Sequence, residues 1–208
     1  MNMLSCRRPS HILLSDSCLD DVDAGMGGYS VTSGNAWRLK LDAKVLQEAG
    51  VSNNVLEFLA CIITQREELL LIEKKRQLYH NDDANMPLSL RFPCFLGITD
   101  SSSSVGWLYR FRSPTKQPWV GRIARDYARH MLAAQAIPHP QHIPGIQNEV
   151  SDLLSRSFTK FPALDDRALT QYICSKFTSQ IPASFHIRPL SRETSSWLIP
   201  QSCPLALY

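Results

Sequence analysis

Apolar and polar positions change period along the chain, and the changes predict its elements. Residues 12–14 form an apolar run that passes through Ser15 into Asp16, the pattern of a buried strand. Gly25, Met26, Gly27 and Gly28 read as a glycine turn, with a second strand over 29–32. Residues 37–41 alternate apolar and polar, which predicts a third strand with one wet face. Residues 51–78 carry the longest helical pattern, with Val55, Leu56, Leu59, Ile62 and Ile63 on one face. Asn53 or Asn54 is placed to cap its start, and 67–76 reads as a mixed-charge, solvated stretch. Residues 92–99 predict a buried central strand ending at Asp100, then a serine turn that caps a short helix from Val105. A second strong helix is expected over 119–135, with Val120, Ile123, Tyr127 and Leu132 on one side. Residues 136–143 are broken by Pro138 and Pro140 and suit an edge strand. Pro144 and Gly145 make a turn, and Asn148 is placed to cap a helix over 149–158. Residues 165–177 predict an amphipathic helix with an acidic start, and 181–208 a proline-rich, extended tail. Strands first, then helices alternating with strands, predict an α/β fold: a mixed sheet with helices packed on it.

A length of 208 residues allows one domain with an appendage. The expected division is a leader over 1–10, a domain over 11–160 and a C-terminal helix and tail over 161–208. No apolar run approaches the ~18 residues of a membrane-spanning helix, so no membrane partner is expected. The run at 12–14 is far too short for the core of a signal peptide. Six cysteines are scattered without a C-x-x-C spacing, which argues against a disulfide framework and against a structural zinc site. An intracellular, reducing location, cytoplasm or nucleus, is expected. Net charge is +3, weak on its own, but the cations cluster. Arg110, Arg112, Lys116, Arg122, Arg125 and Arg129 face a single acid, Asp126, and Trp107, Tyr109, Phe111, Trp119 and Tyr127 lie among them. Such a segment either grips a nucleic-acid backbone, with Arg110, Arg112, Lys116 and Arg122 as the contacts, or is a solvated helix face over core aromatics.

Three carboxylates share one context. Asp16 and Asp100 each end an apolar strand, and Glu57 stands inside the apolar run Val55, Leu56, Phe58, Leu59. A buried carboxylate costs several kcal/mol unless something compensates it, and a divalent cation is one such compensator. Asp152 is a fourth candidate. Singly, each has an ordinary reading as a cap, a turn residue or an outward-pointing acid; the order Asp, Glu, Asp, Asp is more specific.

In that order of carboxylates and in the motifs around them, the chain resembles the ribonuclease H domain of retroelement reverse transcriptases over residues 10–158. In that family a first strand ends in Asp and glycines open the second, as Asp16 and Gly25-Met26-Gly27-Gly28-Tyr29 do here. Its first helix carries Asn-x-x-Glu, matched by Asn54-Val55-Leu56-Glu57. Its fourth strand ends in an Asp followed by small residues and a tryptophan, matched by Asp100, Ser101 to Ser104 and Trp107. The most specific match is the last motif, here Pro144-Gly145-Ile146-Gln147-Asn148-Glu149-Val150-Ser151-Asp152-Leu153-Leu154-Ser155-Arg156.

The resemblance implies a ribonuclease H-like, mixed five-stranded sheet flanked by helices, with a helical and extended C-terminal appendage. It implies that Asp16, Glu57, Asp100 and Asp152 hold two Mg²⁺ ions, with Mn²⁺ as a substitute, and that the RNA strand of an RNA–DNA hybrid is cut. The 2′-hydroxyl would tell RNA from DNA. A polymerase domain, absent from this chain, would be its partner in a reverse transcriptase. The chain also departs from the family. The loop after Asp16 is long and holds Asp20, Asp21 and Asp23, and Asp20 is nearer the usual spacing; Asp16 is preferred because the apolar strand runs into it. Ser151 stands where the family usually has Ala. His142 is expected to pack on its strand rather than assist product release. An inactive retroelement relic that at most binds nucleic acid is the alternative. An integrase or transposase of the same fold would place its Glu last, whereas Glu57 is second.

Overall fold

The computed structural model describes residues 7–79, 85–110 and 117–198. Strands β1 (His11–Leu19), β2 (Ala24–Ser30) and β3 (Asn35–Lys40) form an antiparallel meander. Helices α1 (Ala43–Glu48), α2 (Asn53–Gln77) and α3 (Leu88–Arg91) lead to β4 (Cys94–Thr99), which pairs parallel to β1. Helices α4 (Ser102–Arg110) and α5 (Pro118–Ala133) precede β5 (Ile137–His142), parallel to β4. Then follow α6 (Glu149–Ser155), α7 (Ser157–Lys160), α8 (Asp166–Lys176), a two-residue β6 (His186–Ile187) and α9 (Arg192–Leu198). The strand order is β5-β4-β1-β2-β3-β6. This is the mixed, helix-flanked sheet that the ribonuclease H resemblance implies, with six strands in place of five.

Both faces of the sheet are covered. One packs Leu13, Met26, Trp37 and Phe95 against Leu56, Leu59, Ile62 and Ile63 of α2 and Ile123 and Met131 of α5. The other packs Leu14, Tyr29 and Ala36 against Leu153 and Leu154 of α6 and Leu169 and Ile173 of α8. That two-sided burial explains β2, whose seven residues are all buried. Three of its four middle residues are glycines, and they do not make a turn. A Cβ on Gly27 would lie 2.5 Å from Leu154 Cβ, and one on Gly25 or Gly28 would run into the Ser155 carbonyl or the Thr64 hydroxyl. Glycine lets α6 and α2 approach the strand. The turn lies earlier, at 20–23, where the Asp20 N–H donates to the Asp23 carbonyl at 2.9 Å and the Asp20 carboxylate accepts from Val22 and Asp23.

Several local expectations change for identifiable reasons. β1 runs on to Leu19, so Asp16 is inside the strand rather than at its end, because β2 continues to pair with it. Ser52, not Asn53 or Asn54, occupies the cap position of α2. The stretch 67–76 is solvated only toward its end: Glu68, Leu69, Leu70 and Ile72 are buried, as is Arg66 before them, while Lys74 and Lys75 are exposed. There Glu67 accepts from the Ser191 hydroxyl at 2.6 Å, Glu68 from that of Ser33 at 2.7 Å, and Trp197 of α9 lies against Arg66. On α5 the buried face uses Met131, and Leu132 is 81% exposed. The wet face of β3 is covered, since Arg38 donates to Asp166 at 2.7 Å, to the Ser157 hydroxyl at 3.1 Å and to the Leu164 carbonyl at 3.0 Å. The expected tail instead adds β6 to the sheet edge and α9 to the core, where Leu198 is fully buried. β5 is an edge strand, paired through Pro138 and Pro140 on one side only. No helix among the described residues is long and apolar enough to cross a membrane.

Candidate metal centre

The parallel register of β1 and β4 sets Leu14 beside Ile98, and two residues further along each strand stand Asp16 and Asp100. β4 ends at Thr99 while β1 continues beside β2, so the two carboxylates sit where the sheet splits. Glu57 arrives from α2, one turn in from the helix start. Carboxylate oxygens of Asp16, Glu57 and Asp100 lie within 4.8 Å of one another. Asp16 and Glu57 are each 4% exposed.

Hydroxyls and amides fix these side chains. Glu57 Oε1 accepts from the Ser17 N–H at 3.1 Å and the Ser17 hydroxyl at 3.0 Å, and Oε2 accepts from the Thr99 hydroxyl at 3.3 Å. Asp16 Oδ2 accepts from the Ser155 hydroxyl at 2.5 Å. Ser155 is on α6, which is tied to β1 a second time where Asn148 Nδ2 donates to the Ser15 carbonyl at 3.0 Å. Asn148 is thus an anchor, not the side-chain cap expected of it. His142 is exposed rather than packed on its strand, and its Nε2 lies 3.0 Å from the Asp100 carbonyl oxygen. Gly145 abuts Asp100: a Cβ there would lie 2.9 Å from Oδ2.

The electrostatics are those of a buried acidic cluster with no ion pair of its own. Burial pushes the Asp16 carboxyl up to about 7; the Ser155 hydrogen bond and the charge of Arg156 work against this, and Asp100 and Asp152 add to it. Burial, then Asp16 and Asp100, push Glu57 up to about 8. Among the described residues no Lys, Arg or His lies within ion-pairing distance of Asp16, Glu57 or Asp100. Hard oxygen donors, gathered, oriented and without a cation, fit a divalent ion such as Mg²⁺.

The other candidates stand apart. Asp152 is outside this cluster: Oδ1 accepts from Arg156 Nε at 2.7 Å and Oδ2 from Lys160 Nζ at 2.9 Å. Burial alone would raise its carboxyl, but Lys160 and Arg156 outweigh that and hold it below the usual range. The side chain of Asp20 is 52% exposed and serves its own turn. Arg110 is exposed at the end of α4, and Arg122 is half-buried on α5 with Nη2 unpartnered. Arg112 and Lys116 lie outside the described residues. Sequence reasoning missed the orienting hydroxyls of Ser17, Thr99 and Ser155. Ser155 was legible as part of the last motif, while the other two carry no signal beyond their place beside the acids.

No protein-family profile matches the chain, and no curated protein does. Solved structures do. Ribonuclease H1 from the halophilic archaeon Halobacterium salinarum is 15% identical, with a TM-score of 0.44 over 69% of this chain and 92% of that one. An N-terminal ribonuclease H domain from Mycobacterium tuberculosis is 14% identical, with a TM-score of 0.47 over 72% and 93%. LC11-RNase H1, in complex with an RNA/DNA hybrid, is 18% identical, with a TM-score of 0.42 over 70% and 93%.

Proposed function

We propose that this chain is a divalent-metal-dependent nuclease that cleaves the RNA strand of RNA–DNA hybrids. The observation that carries the reading is the convergence of Asp16, Glu57 and Asp100, three carboxylates from two strands and a helix, two of them raised by burial and left without a cation. Asp16, Glu57 and Asp100 hold the metal, and Asp152 joins them as the fourth ligand only in the full two-Mg²⁺ site formed on substrate. When bound, the metal activates a water and stabilises the leaving oxygen of the phosphodiester. Ser17 and Thr99 keep both oxygens of Glu57 turned toward the cluster. Ser155 fixes the rotamer of Asp16.

Arg110, Arg112, Lys116 and Arg122 contact the hybrid backbone. Residues 11–160 form the nuclease domain and 161–208 its appendage. The motif from Pro144 to Arg156 supports descent from a retroelement reverse transcriptase, with a polymerase domain as its partner. The test offers end-labelled RNA–DNA hybrid, RNA duplex and DNA duplex in Mg²⁺. Cleavage confined to the RNA of the hybrid is expected; equal cleavage of the DNA duplex would refute the assignment.

A further inference from the structure

Asp152 sits on the helix that also delivers Ser155 to Asp16, close enough for its charge to raise the Asp16 carboxyl. Yet both of its oxygens are taken, one by Arg156 at 2.7 Å and one by Lys160 at 2.9 Å. All three side chains are partly open to solvent: Asp152 40%, Arg156 37% and Lys160 48% exposed. The nearest other acid to Arg156 is Asp20, at the limit of pairing at 4.0 Å. The acid and its two cations thus form a compact pairing at the rim of the metal centre, while among the described residues the cluster behind it has no ion pair of its own.

We propose that Arg156 and Lys160 form a clamp that withholds Asp152 from the metal centre and releases it when a backbone phosphate of the nucleic acid takes its place on the two cations. The proposal rests on the metal-dependent nuclease reading. Its chemistry is an exchange of partners. A phosphodiester presents the same pair of anionic oxygens that the carboxylate does, and a guanidinium beside an ammonium receives either. A pairing this open to solvent is weakly held, so a phosphate can displace it. Once freed, Asp152 adds a fourth carboxylate to the three already gathered. The centre is then completed only on substrate.

Metal affinity reads this directly, without turnover. Mn²⁺ is titrated calorimetrically into wild type, Asp100→Asn, Asp152→Asn, Lys160→Met and Lys160→Met/Asp152→Asn, each first checked for an unchanged melting profile. In wild type, Asp100→Asn is expected to weaken binding at least tenfold and Asp152→Asn less than twofold. Lys160→Met is expected to tighten binding severalfold, and the added Asp152→Asn to abolish that gain. In Ca²⁺, binding of an RNA–DNA hybrid to Lys160→Met is expected to lose about one unit of log–log salt slope, the share of one phosphate contact. Wild-type binding that falls as far with Asp152→Asn as with Asp100→Asn overturns the clamp, because Asp152 is then already a ligand. Unchanged affinity in Lys160→Met, or an unchanged salt slope, overturns it too. Both results leave the metal centre standing. No binding that depends on Asp100 overturns the metal centre, and the clamp with it.

Discussion

Burial holds the carboxyls of Asp16 and Glu57 well above the usual carboxylate range, and this fixes the sign of a pH effect. Their ordinary values are 3.8 and 4.5, and in the folded chain they rise to about 7 and about 8. As pH rises past 4, the unfolded chain gives up these protons first, so folding stability falls until pH passes about 8 and then levels. The slope approaches ~1.4 kcal/mol per pH unit for each group. EDTA-treated protein is therefore expected to melt lower at pH 8 than at pH 5.5. Glu57→Gln should flatten the profile, and Mg²⁺ should raise the melting point mainly at the higher pH. A melting point that climbs between pH 5.5 and 8 in EDTA would contradict this. Ser155→Ala, which frees the Asp16 carboxylate, is expected to weaken Mn²⁺ binding by roughly 10–100-fold with little change in fold. Ser151 gives a contrasting case. Its hydroxyl is buried with no hydrogen-bond partner among the described residues, at the position where the resembling family has Ala. Ser151→Ala is expected to stabilise the chain by about 1 kcal/mol in urea titration.

At the scale of elements, what the sequence made legible depends on whether a neighbour decides the outcome. The apolar run before Asp100 identifies β4 and the period of 3.6 identifies α5, because their burial is written into those residues themselves; α2 is legible as a helix too, but from Val55 to Arg66 it is buried on every side, which its neighbours decide. The glycines of β2 misled, since a glycine in a turn and a glycine under a helix look alike until the helix is in place. Arg38 misled in the same way. It marks a wet face until Asp166 and Leu164 cover it from far along the chain. The site divides likewise. Asp16, Glu57 and Asp100 were legible by their apolar context, whereas the clamp on Asp152 needs two cations, four and eight residues on, brought back to it by the turn from α6 into α7. The close approach of α6 to β2 yields its own prediction. Gly27→Ala places a methyl against Leu154 and should cost ~1–3 kcal/mol, read as a lower melting temperature. Since α6 carries Ser155 and Asn148, the same change should also weaken Mn²⁺ binding.

At the scale of the whole molecule both faces of the sheet are sealed, and the three carboxylates gather at the end of the sheet where β1 and β4 part. The helices α2, α5 and α9 close one face and α6 and α8 the other, and β6 caps the far edge. Truncation after Lys160 would uncover Tyr29, Ala36 and Leu154, which pack with Leu169, Ile173, Phe177 and Phe185. It is expected to cost solubility or several degrees of melting temperature even though it removes no carboxylate of the centre. The most direct measurement is cleavage of a labelled RNA–DNA hybrid in Mg²⁺ by wild type and by Asp100→Asn, both verified as folded. RNA-strand cleavage by wild type, reduced at least a hundredfold in Asp100→Asn, is predicted; equal cleavage by both, or none by folded wild type in Mg²⁺ or Mn²⁺, would contradict it.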